Sequence, residues 1–241
     1  MSSSVQRKRI RKSPDERRAE IVEAATAIAL TEGLECVTLR RIADELDVRP
    51  GLISHYFPSV EDLVAEAFGS AASAELDRLV PVDPAGATPT EQLAAFFGHT
   101  SGAAYDAISR LWINARHLSR YRDVLRDRVA EQEAAWRGRL EGVVRRGVER
   151  EEFRTPDPYV TTIQILVVLD GLGAHANTDT SNRPAAVTRM AVATAERELG
   201  LPSGALDARP ATAPDAAPEP AAAPGSDPAA EPVPNPAAVP N

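Results

Sequence analysis

The spacing of apolar positions predicts helices along most of the chain. Between residues 13 and 200, apolar side chains recur every three or four positions, a repeat that places them on one face of an α-helix. No alternating strand pattern and no Asn-Gly hairpin signal interrupts this repeat. The pattern therefore predicts an all-α fold.

The first predicted helix has a marked beginning and end. Ser13-Pro14-Asp15-Glu16 supplies an N-cap, a proline in the first turn and a capping-box glutamate. An apolar stripe through Ile21 and Ile28 follows, and Gly33 fits the position just after the last turn. The signals predict a helix between Pro14 and Gly33.

Short helices follow in a recognisable arrangement. Thr38 is placed to cap a helix over residues 39–46, and Asp47-Val48-Arg49-Pro50 forms a turn. Pro50 then opens a helix that reaches about Phe57, and Ser59 caps a fourth helix. A helix, a four-residue turn and a second short helix predict a helix-turn-helix over about 38–57.

Beyond a break rich in proline over residues 81–89, five more helices are predicted. They run from a Thr90 cap through Phe97, from Tyr105 to His117, from Tyr121 to Arg150, over residues 157–176 and over residues 184–199. The helix over 157–176 is apolar nearly all round, and Gly171 and Gly173 would permit close helix approach. We expect this helix and the last one to form half of a four-helix bundle between two copies; the alternative is a core helix of one subunit.

The two ends differ from the middle of the chain. Residues 1–12 form a basic arm, and residues 201–241 are so rich in alanine and proline that a disordered tail is predicted. Between them we predict a helix-turn-helix DNA-binding domain over 13–77 and a helical regulatory and dimerisation domain over 78–200. The net charge of −8 divides into +1 for residues 1–60, −5 for 61–206 and −4 for 207–241.

Several protein classes are disfavoured by composition. Cys36 is the single cysteine of the sequence, so an intramolecular disulfide is excluded. No run of 18 apolar residues and no secretory signal is present, so we expect a soluble cytoplasmic protein. His99, His117 and His175 lack paired metal-ligand spacing, and neither a metal nor a cofactor is predicted.

The helix after the turn carries the predicted contacts to DNA. Ile53 and Phe57 lie four positions apart and face the preceding helices, which leaves the other faces free for base edges and phosphates. Of Arg40 and Arg41 we expect only one to reach DNA. The predicted DNA-binding residues are Thr38, Arg40, Arg49, Gly51, Leu52, Ser54, His55 and Tyr56.

Residues 17–68 resemble the tetracycline-repressor (TetR) family of bacterial regulators. The resemblance is carried by R-x-x-I-V-x-A-A from Arg18, by T-x-x-x-I-A from Thr38 and by H-Y-F-x-x-x-E-D-L from His55. GLISHYF is especially similar to the choline-sensing Bet repressor branch. Three positions depart from the family pattern: Asp47 replaces a glycine, Arg49 a frequent serine and Val60 a frequently basic residue.

The resemblance implies a homodimeric repressor that a small effector releases from a palindromic DNA operator. The effector would bind between the later helices, where aromatic residues accumulate. An organic cation such as choline would suit an aromatic cage with Asp106, Glu141 or Asp170 as countercharge, although plain core aromatics are the alternative. Asp170, an acid within an apolar run, is expected to be buried and to form a hydrogen bond across helices, with contact to the ligand as the alternative. The predicted pocket residues are Phe96, Phe97, Tyr105, Trp112, His117, Trp136 and Asp170.

Two other functions stay open from the sequence. A helical enzyme would use the same pocket, but no nucleophile–base motif and no phosphate-binding loop supports it. A protein-interaction adaptor would use the proline-rich tail.

Overall fold

Helices form most of the computed structural model, which describes residues 12–82, 84, 86–100, 103–178 and 184–207. Those residues contain ten α-helices, one 3₁₀ helix and no strand, so the all-α prediction is confirmed. The basic arm up to residue 11 and the chain from residue 208 lie outside the described residues.

The first helices begin where the capping signals place them. They are α1 (Pro14–Thr31), the 3₁₀ helix (Leu34–Cys36), α2 (Leu39–Glu45), α3 (Pro50–Tyr56) and α4 (Val60–Leu79). The Ser13 hydroxyl accepts the Glu16 N–H at 3.2 Å and the Glu16 carboxylate accepts the Ser13 N–H at 2.7 Å, which completes the predicted capping box. Thr38 and Ser59 cap α2 and α4 as predicted.

The later helices are α5 (Pro89–Gly98), α6 (Ala103–Leu118), α7 (Asp123–Glu149), α8 (Pro158–Thr178), α9 (Ala185–Thr188) and α10 (Met190–Glu198). One predicted cap was wrong: Thr88, not Thr90, caps α5. Thr88 is followed by Pro89 at the first helical position and forms a capping box with Glu91. Because of these two features, α5 begins two residues before the predicted start. Thr90 instead donates its N–H and hydroxyl to Glu152.

The last predicted helix is divided in two at Arg189. The backbone there has φ −87° and ψ 1°, and the guanidinium pairs with Glu196 at 3.1 Å and with Asp207 at 2.8 Å. These partners lie on α10 and on the segment after it. The side chain of Arg189 thus joins the interruption between α9 and α10 to the segment that follows α10.

Residues 201–207, which the sequence pattern assigns to the tail, pack against the rest of the described chain. Leu206 is fully buried among the side chains of the second core described below. The Glu196 carboxylate accepts the N–H groups of Gly204 at 2.9 Å and Leu206 at 3.1 Å. Apolar burial and satisfied backbone donors together stabilise this segment, which we call the C-terminal clasp.

Two clusters of buried apolar residues organise the described chain. The first core lies among α1 to α4 and includes Leu111 and Ala115 of α6. The second core lies among the end of α4, α5, α7, α8 and α10. Trp112 packs against both cores, so α6 lies between them. The predicted domain boundary after residue 77 falls near the end of α4 and stays a prediction.

Helix α8 has one buried and one exposed face. Ile165 and Leu169 are buried, whereas Val160 and Val167 are exposed to 46% and 62%. By length and composition alone, α8 is the single helix in the described ranges that could cross a bilayer, a criterion that core helices of soluble proteins also meet. The sequence has no uninterrupted run of 18 apolar residues because polar residues interrupt α8. The mean hydropathy of this helix is nevertheless high enough to meet the criterion.

Candidate nucleic-acid interface and ligand cavity

The helix after the turn, α3, is fixed to the first core by its apolar side. Ile53 and Phe57 are buried, as the spacing predicts. The Arg18 guanidinium of α1 lies 4.7 Å from the centre of the Phe57 ring and pairs with Glu66 of α4. Burial and this pairing set the orientation of α3 on α1 and α4.

The opposite side of α3 faces solvent. Gly51, Ser54 and His55 are exposed, while Leu52 and Tyr56 are half-buried. The Ser54 hydroxyl donates to the Gly51 carbonyl at 3.2 Å, which leaves its lone pairs available as acceptors. These residues thus form one accessible surface around α3, and their contact with DNA stays a prediction.

Two exposed arginines flank this surface. Among the described residues neither Arg40 nor Arg49 has an ion-pair partner. Arg41 instead pairs with Glu32 at 2.7 Å and with Glu45 at 2.8 Å, and these hydrogen bonds raise the pKa of its guanidinium. Of the two adjacent arginines, Arg40 is therefore the one without an ion pair among the described residues, and its contact with DNA stays a prediction.

The turn before α3 tolerates its departures from the family pattern. Asp47 adopts φ +50°, the left-handed conformation that a glycine would otherwise supply and that aspartate tolerates better than most residues. Arg49 occupies the N-cap of α3 without a side-chain cap, as expected after the loss of serine. Thr38 is exposed, and its hydroxyl accepts the Arg41 N–H at 3.1 Å.

A cavity of about 240 Å³ lies among α4, α5, α6, α7 and α8. Five of the seven predicted pocket residues line it: Phe96, Tyr105, Trp112, Trp136 and Asp170. Phe97 lies outside because it follows Phe96 by about 100° around the helix, and it is buried in the second core. His117 also lies outside; it is exposed, with its ring 5.9 Å from that of Tyr121.

The cavity contains a buried carboxylate that the sequence pattern does not reveal. Glu75 of α4 is 8% exposed, and Trp112 donates its Nε1–H to the carboxylate at 3.0 Å. Burial raises the pKa of Glu75 to about 7, and no described cation forms an ion pair with it. Glu75 stands in a helix segment of small residues, and only the packing of α4 against α6 shows its burial.

A guanidinium and two carboxylates form the more exposed part of the cavity wall. Arg116 donates to Glu133 at 2.8 Å and to Asp170 at 2.9 Å, and lies 5.1 Å from the centre of the Trp112 ring. The hydrogen bond across helices that was expected for Asp170 is confirmed, since its carboxylate accepts from Arg116 of α6. The expectation of burial was wrong, because the Asp170 side chain is 51% exposed. The other suggested countercharges, Asp106 and Glu141, do not line the cavity.

The remaining histidines show no common site. His99 contacts the Ala95 carbonyl through Nδ1 at 2.7 Å. Within the part of the chain that the structure describes, no group of three His, Cys, Asp or Glu side chains is arranged to hold a metal ion.

Exposed apolar side chains concentrate on α8 and the neighbouring α10. Tyr159, Val160 and Val167 of α8 and Met190 of α10 are exposed to between 43% and 62%. A Cβ at Gly171 would meet nothing within 4 Å. Gly173 instead allows close approach within the chain, since a Cβ there would lie 3.1 Å from the Ser109 hydroxyl of α6.

Two family models match the chain over adjoining regions. Residues 21–67 match the model of bacterial regulatory proteins of the tetR family. Residues 89–200 match the C-terminal model of BetI-type transcriptional repressors. The first match contains α2 and α3, and the second contains α5 to α10.

Similar proteins and structures agree with these matches. The HTH-type transcriptional repressor KstR of Mycobacterium tuberculosis is 40% identical over 91 residues, which are 36% of this chain and 40% of that protein. The matched region thus spans less than half of the relative. A putative transcriptional regulator from Saccharomonospora viridis, solved in complex with choline, has a TM-score of 0.63 at 23% identity and covers 75% of this chain and 94% of its own. A TetR-family regulator from Cytophaga hutchinsonii has a TM-score of 0.66 at 19% identity, with 79% and 97% covered.

Proposed function

Because the chain belongs to the TetR family of transcriptional regulators, we propose that it is a ligand-responsive repressor that binds a specific palindromic DNA sequence. The observation that carries the proposal is the orientation of α3. Ile53 and Phe57 fix one side in the first core, while Ser54 and His55 are exposed on the other. The family consists of regulators, and we propose no catalytic step for the cavity.

The proposed contacts are of two kinds, contacts to base edges and contacts to the DNA backbone. Leu52, Ser54 and His55 would meet base edges in the major groove. Arg40, Arg49, Gly51, Thr38 and Tyr56 would contact phosphates and fix the register of the helix, with the unpaired guanidinium groups supplying most of the electrostatic attraction. We place the protein in the cytoplasm, where repressors of this family act on DNA.

Selection from a random duplex library, followed by fluorescence anisotropy on the selected duplex, tests this proposal. Leu52→Glu should weaken binding about tenfold or more, since a base contact is worth ~1–3 kcal/mol and the new carboxylate repels phosphates. Arg40→Ala should reduce the slope of log affinity against log salt by about 0.9. Val82→Glu is the matched control because it adds the same charge at an exposed site beyond the end of α4. Equal affinity of Leu52→Glu and wild type would contradict the proposal.

We further propose that the repressor is a homodimer joined through α8 and α10. The exposed apolar residues of these helices support the pairing, since a monomer would leave them in water. The open space at Gly171 would let two α8 helices approach closely. A dimer presents two α3 helices to successive major grooves, as a palindromic site requires.

For the effector we propose a compact organic cation that binds in the cavity. Arg116 already has two carboxylate partners, whereas Glu75 has no ion-pair partner among the described residues. A ligand cation would supply that partner, surrounded by the aromatic rings of Phe96, Trp112 and Trp136. The volume of about 240 Å³ suits a small molecule.

Intrinsic fluorescence reports directly on this cavity because both tryptophans line it. Titration with choline should change the tryptophan emission, and the change should saturate as the cavity fills. Its neutral carbon isostere 3,3-dimethyl-1-butanol should bind at least about tenfold more weakly, because only choline carries a positive charge that can pair with Glu75. Equal binding of both compounds would contradict a cationic effector while leaving DNA binding unaffected.

A further inference from the structure

Helix α6 connects the ligand cavity to the first core. Trp112 and Arg116 line the cavity, whereas Leu111 and Ala115 are buried in the first core beside α1 and α4. The Trp112 ring also meets the ring of Phe68 of the first core edge-on at 5.0 Å. Because a helix moves largely as a unit, a ligand that displaces the cavity face of α6 also displaces its other face.

One side chain of α6 joins this helix to the segment that precedes α2. The Asn114 Oδ1 accepts the backbone N–H of Leu34 at 2.8 Å. The Asn114 Nδ2 donates to the Glu35 carboxylate oxygens at 2.8 and 2.9 Å. The Leu34 N–H lies in the first turn of the 3₁₀ helix, where no acceptor within the helix is available, and the bond to Glu35 is charge-assisted. We call these three hydrogen bonds the Asn114 latch.

The segment held by the latch is itself tied to α2. Val37 is buried in the first core, and the next residue, Thr38, is the N-cap of α2. On the other side of the 3₁₀ helix, Glu32 pairs with Arg41 of α2 at 2.7 Å. A displacement of the 3₁₀ helix therefore reaches α2 through both ends of the segment.

We infer that Asn114 is a positioning residue that transmits occupation of the cavity to the DNA-reading helices. The inference rests on the proposed function. When a ligand shifts α6, the intact latch moves the segment before α2 with it, and the orientation of α2 and α3 changes. Two arrangements that differ in ligand affinity and in DNA affinity are what coupling between two sites requires.

The test measures DNA affinity of the full-length protein with and without a cavity perturbation. Choline is the soluble probe, and Ser109→Phe, a bulky substitution in the cavity wall, is a perturbation that needs no ligand. In wild type we expect each perturbation to weaken binding of the selected duplex by about 5- to 150-fold, the usual range of coupling. Asn114→Ala should reduce this factor to below about twofold.

A matched control and a rescue separate coupling from simple stability. Asn177→Ala removes an asparagine of α8 that donates to the Gly173 carbonyl and accepts from Arg110 of α6 at 3.4 Å. It has no hydrogen bond to the 3₁₀ helix among the described residues, so this variant should keep the wild-type coupling factor. Asn114→Asp should lose coupling because two carboxylates then face each other. Asn114→Asp combined with Glu35→Gln should restore it, since the new amide can donate to the new carboxylate.

The outcomes are distinct. If Asn114→Ala lowers the melting temperature but keeps the wild-type coupling factor, the latch is structural only and the inference is overturned. If wild type selects no duplex, the proposed function fails and the inference fails with it. If choline has no effect but Ser109→Phe weakens DNA binding in an Asn114-dependent manner, the latch is supported and only the cationic effector is rejected.

Discussion

At the scale of single residues, Glu75 is expected to reduce stability near neutral pH. Its pKa is raised by burial from 4.5 to about 7, so the folded protein holds a proton that the unfolded chain has lost over this range. Stability then falls as pH rises from about 4.5 to about 7, by about 3 kcal/mol in total. Glu75→Gln keeps an acceptor for Trp112 and removes the charge, so it should be more stable than wild type at pH 8.

Urea unfolding at pH 5 and pH 8 measures this effect. The difference between wild type and Glu75→Gln should be small at pH 5 and large at pH 8. Glu131→Gln is the control, since its carboxylate is exposed on α7 and should change stability by less than about 0.5 kcal/mol. A pH-independent difference would mean that Glu75 ionises as an ordinary surface residue.

The same carboxyl group predicts how cation binding depends on pH. Only ionised Glu75 pairs with a cation, so choline affinity should rise about tenfold between pH 6 and pH 8 as the ionised fraction increases. Tyr105, whose pKa burial raises to about 12, stays neutral throughout. Tryptophan fluorescence titrations at several pH values check the prediction. In Glu75→Gln, choline affinity should be low and independent of pH. If its affinity rose with pH as steeply as that of wild type, another group would be responsible for the titration.

At the scale of elements, the C-terminal clasp should stabilise the second core. Ending the chain after Gly200 removes buried Leu206 and leaves the Glu196 carboxylate without the N–H groups of Gly204 and Leu206. The loss of a buried leucine alone costs ~2–5 kcal/mol, so the melting temperature should fall by several degrees or more. Circular dichroism measures the change.

The matched truncation ends after Ala208, where the chain divides into two units by its contacts. This variant keeps the clasp, and both its melting temperature and its affinity for the selected duplex should equal those of the full chain. Equal melting of the two truncations would show that residues 201–207 do not contribute to stability. Loss of DNA affinity after residue 208 would instead support a role for the proline-rich tail.

The beginnings of elements were the most predictable part of the fold. Ser13, Thr38 and Ser59 each cap the helix that the sequence indicates, because capping involves atoms only two or three residues away. Arg189 shows the limit of such signals. The last helix is interrupted at this residue, whose guanidinium pairs with Asp207 from beyond the helix end, and no local pattern contains that contact.

At the scale of the whole molecule, the cavity was predicted in part. Aromatic residues in the later helices indicated a pocket, and five of the seven proposed residues line it. Glu75 was missed because it belongs to α4, a helix that the pattern assigned to the DNA-binding half. Only the packing of α4 beside α6 brings this carboxylate to Trp112. Long-range packing of this kind is not encoded in the helical repeat of either segment.

The assembly of two copies is the last prediction and the one on which palindrome recognition depends. Val167 is 62% exposed and lies seven positions after Val160, so both fall on one outward stripe of α8. Burial of that stripe against a second copy would be favourable, whereas a carboxylate there would be buried without a partner. Val167→Glu should therefore convert a dimer into a monomer of 25.8 kDa in sedimentation velocity.

A monomer presents a single α3, so Val167→Glu should also bind the full palindrome at least about tenfold more weakly than wild type while binding an isolated half-site equally well. Tyr121→Glu is the matched control, because Tyr121 is 77% exposed and lies outside α8 and α10. A dimer that persists in Val167→Glu would assign the contact to another surface. The proposal requires two α3 helices about 34 Å apart on the palindrome. It would be contradicted if the wild-type protein bound the palindrome as a monomer in sedimentation velocity.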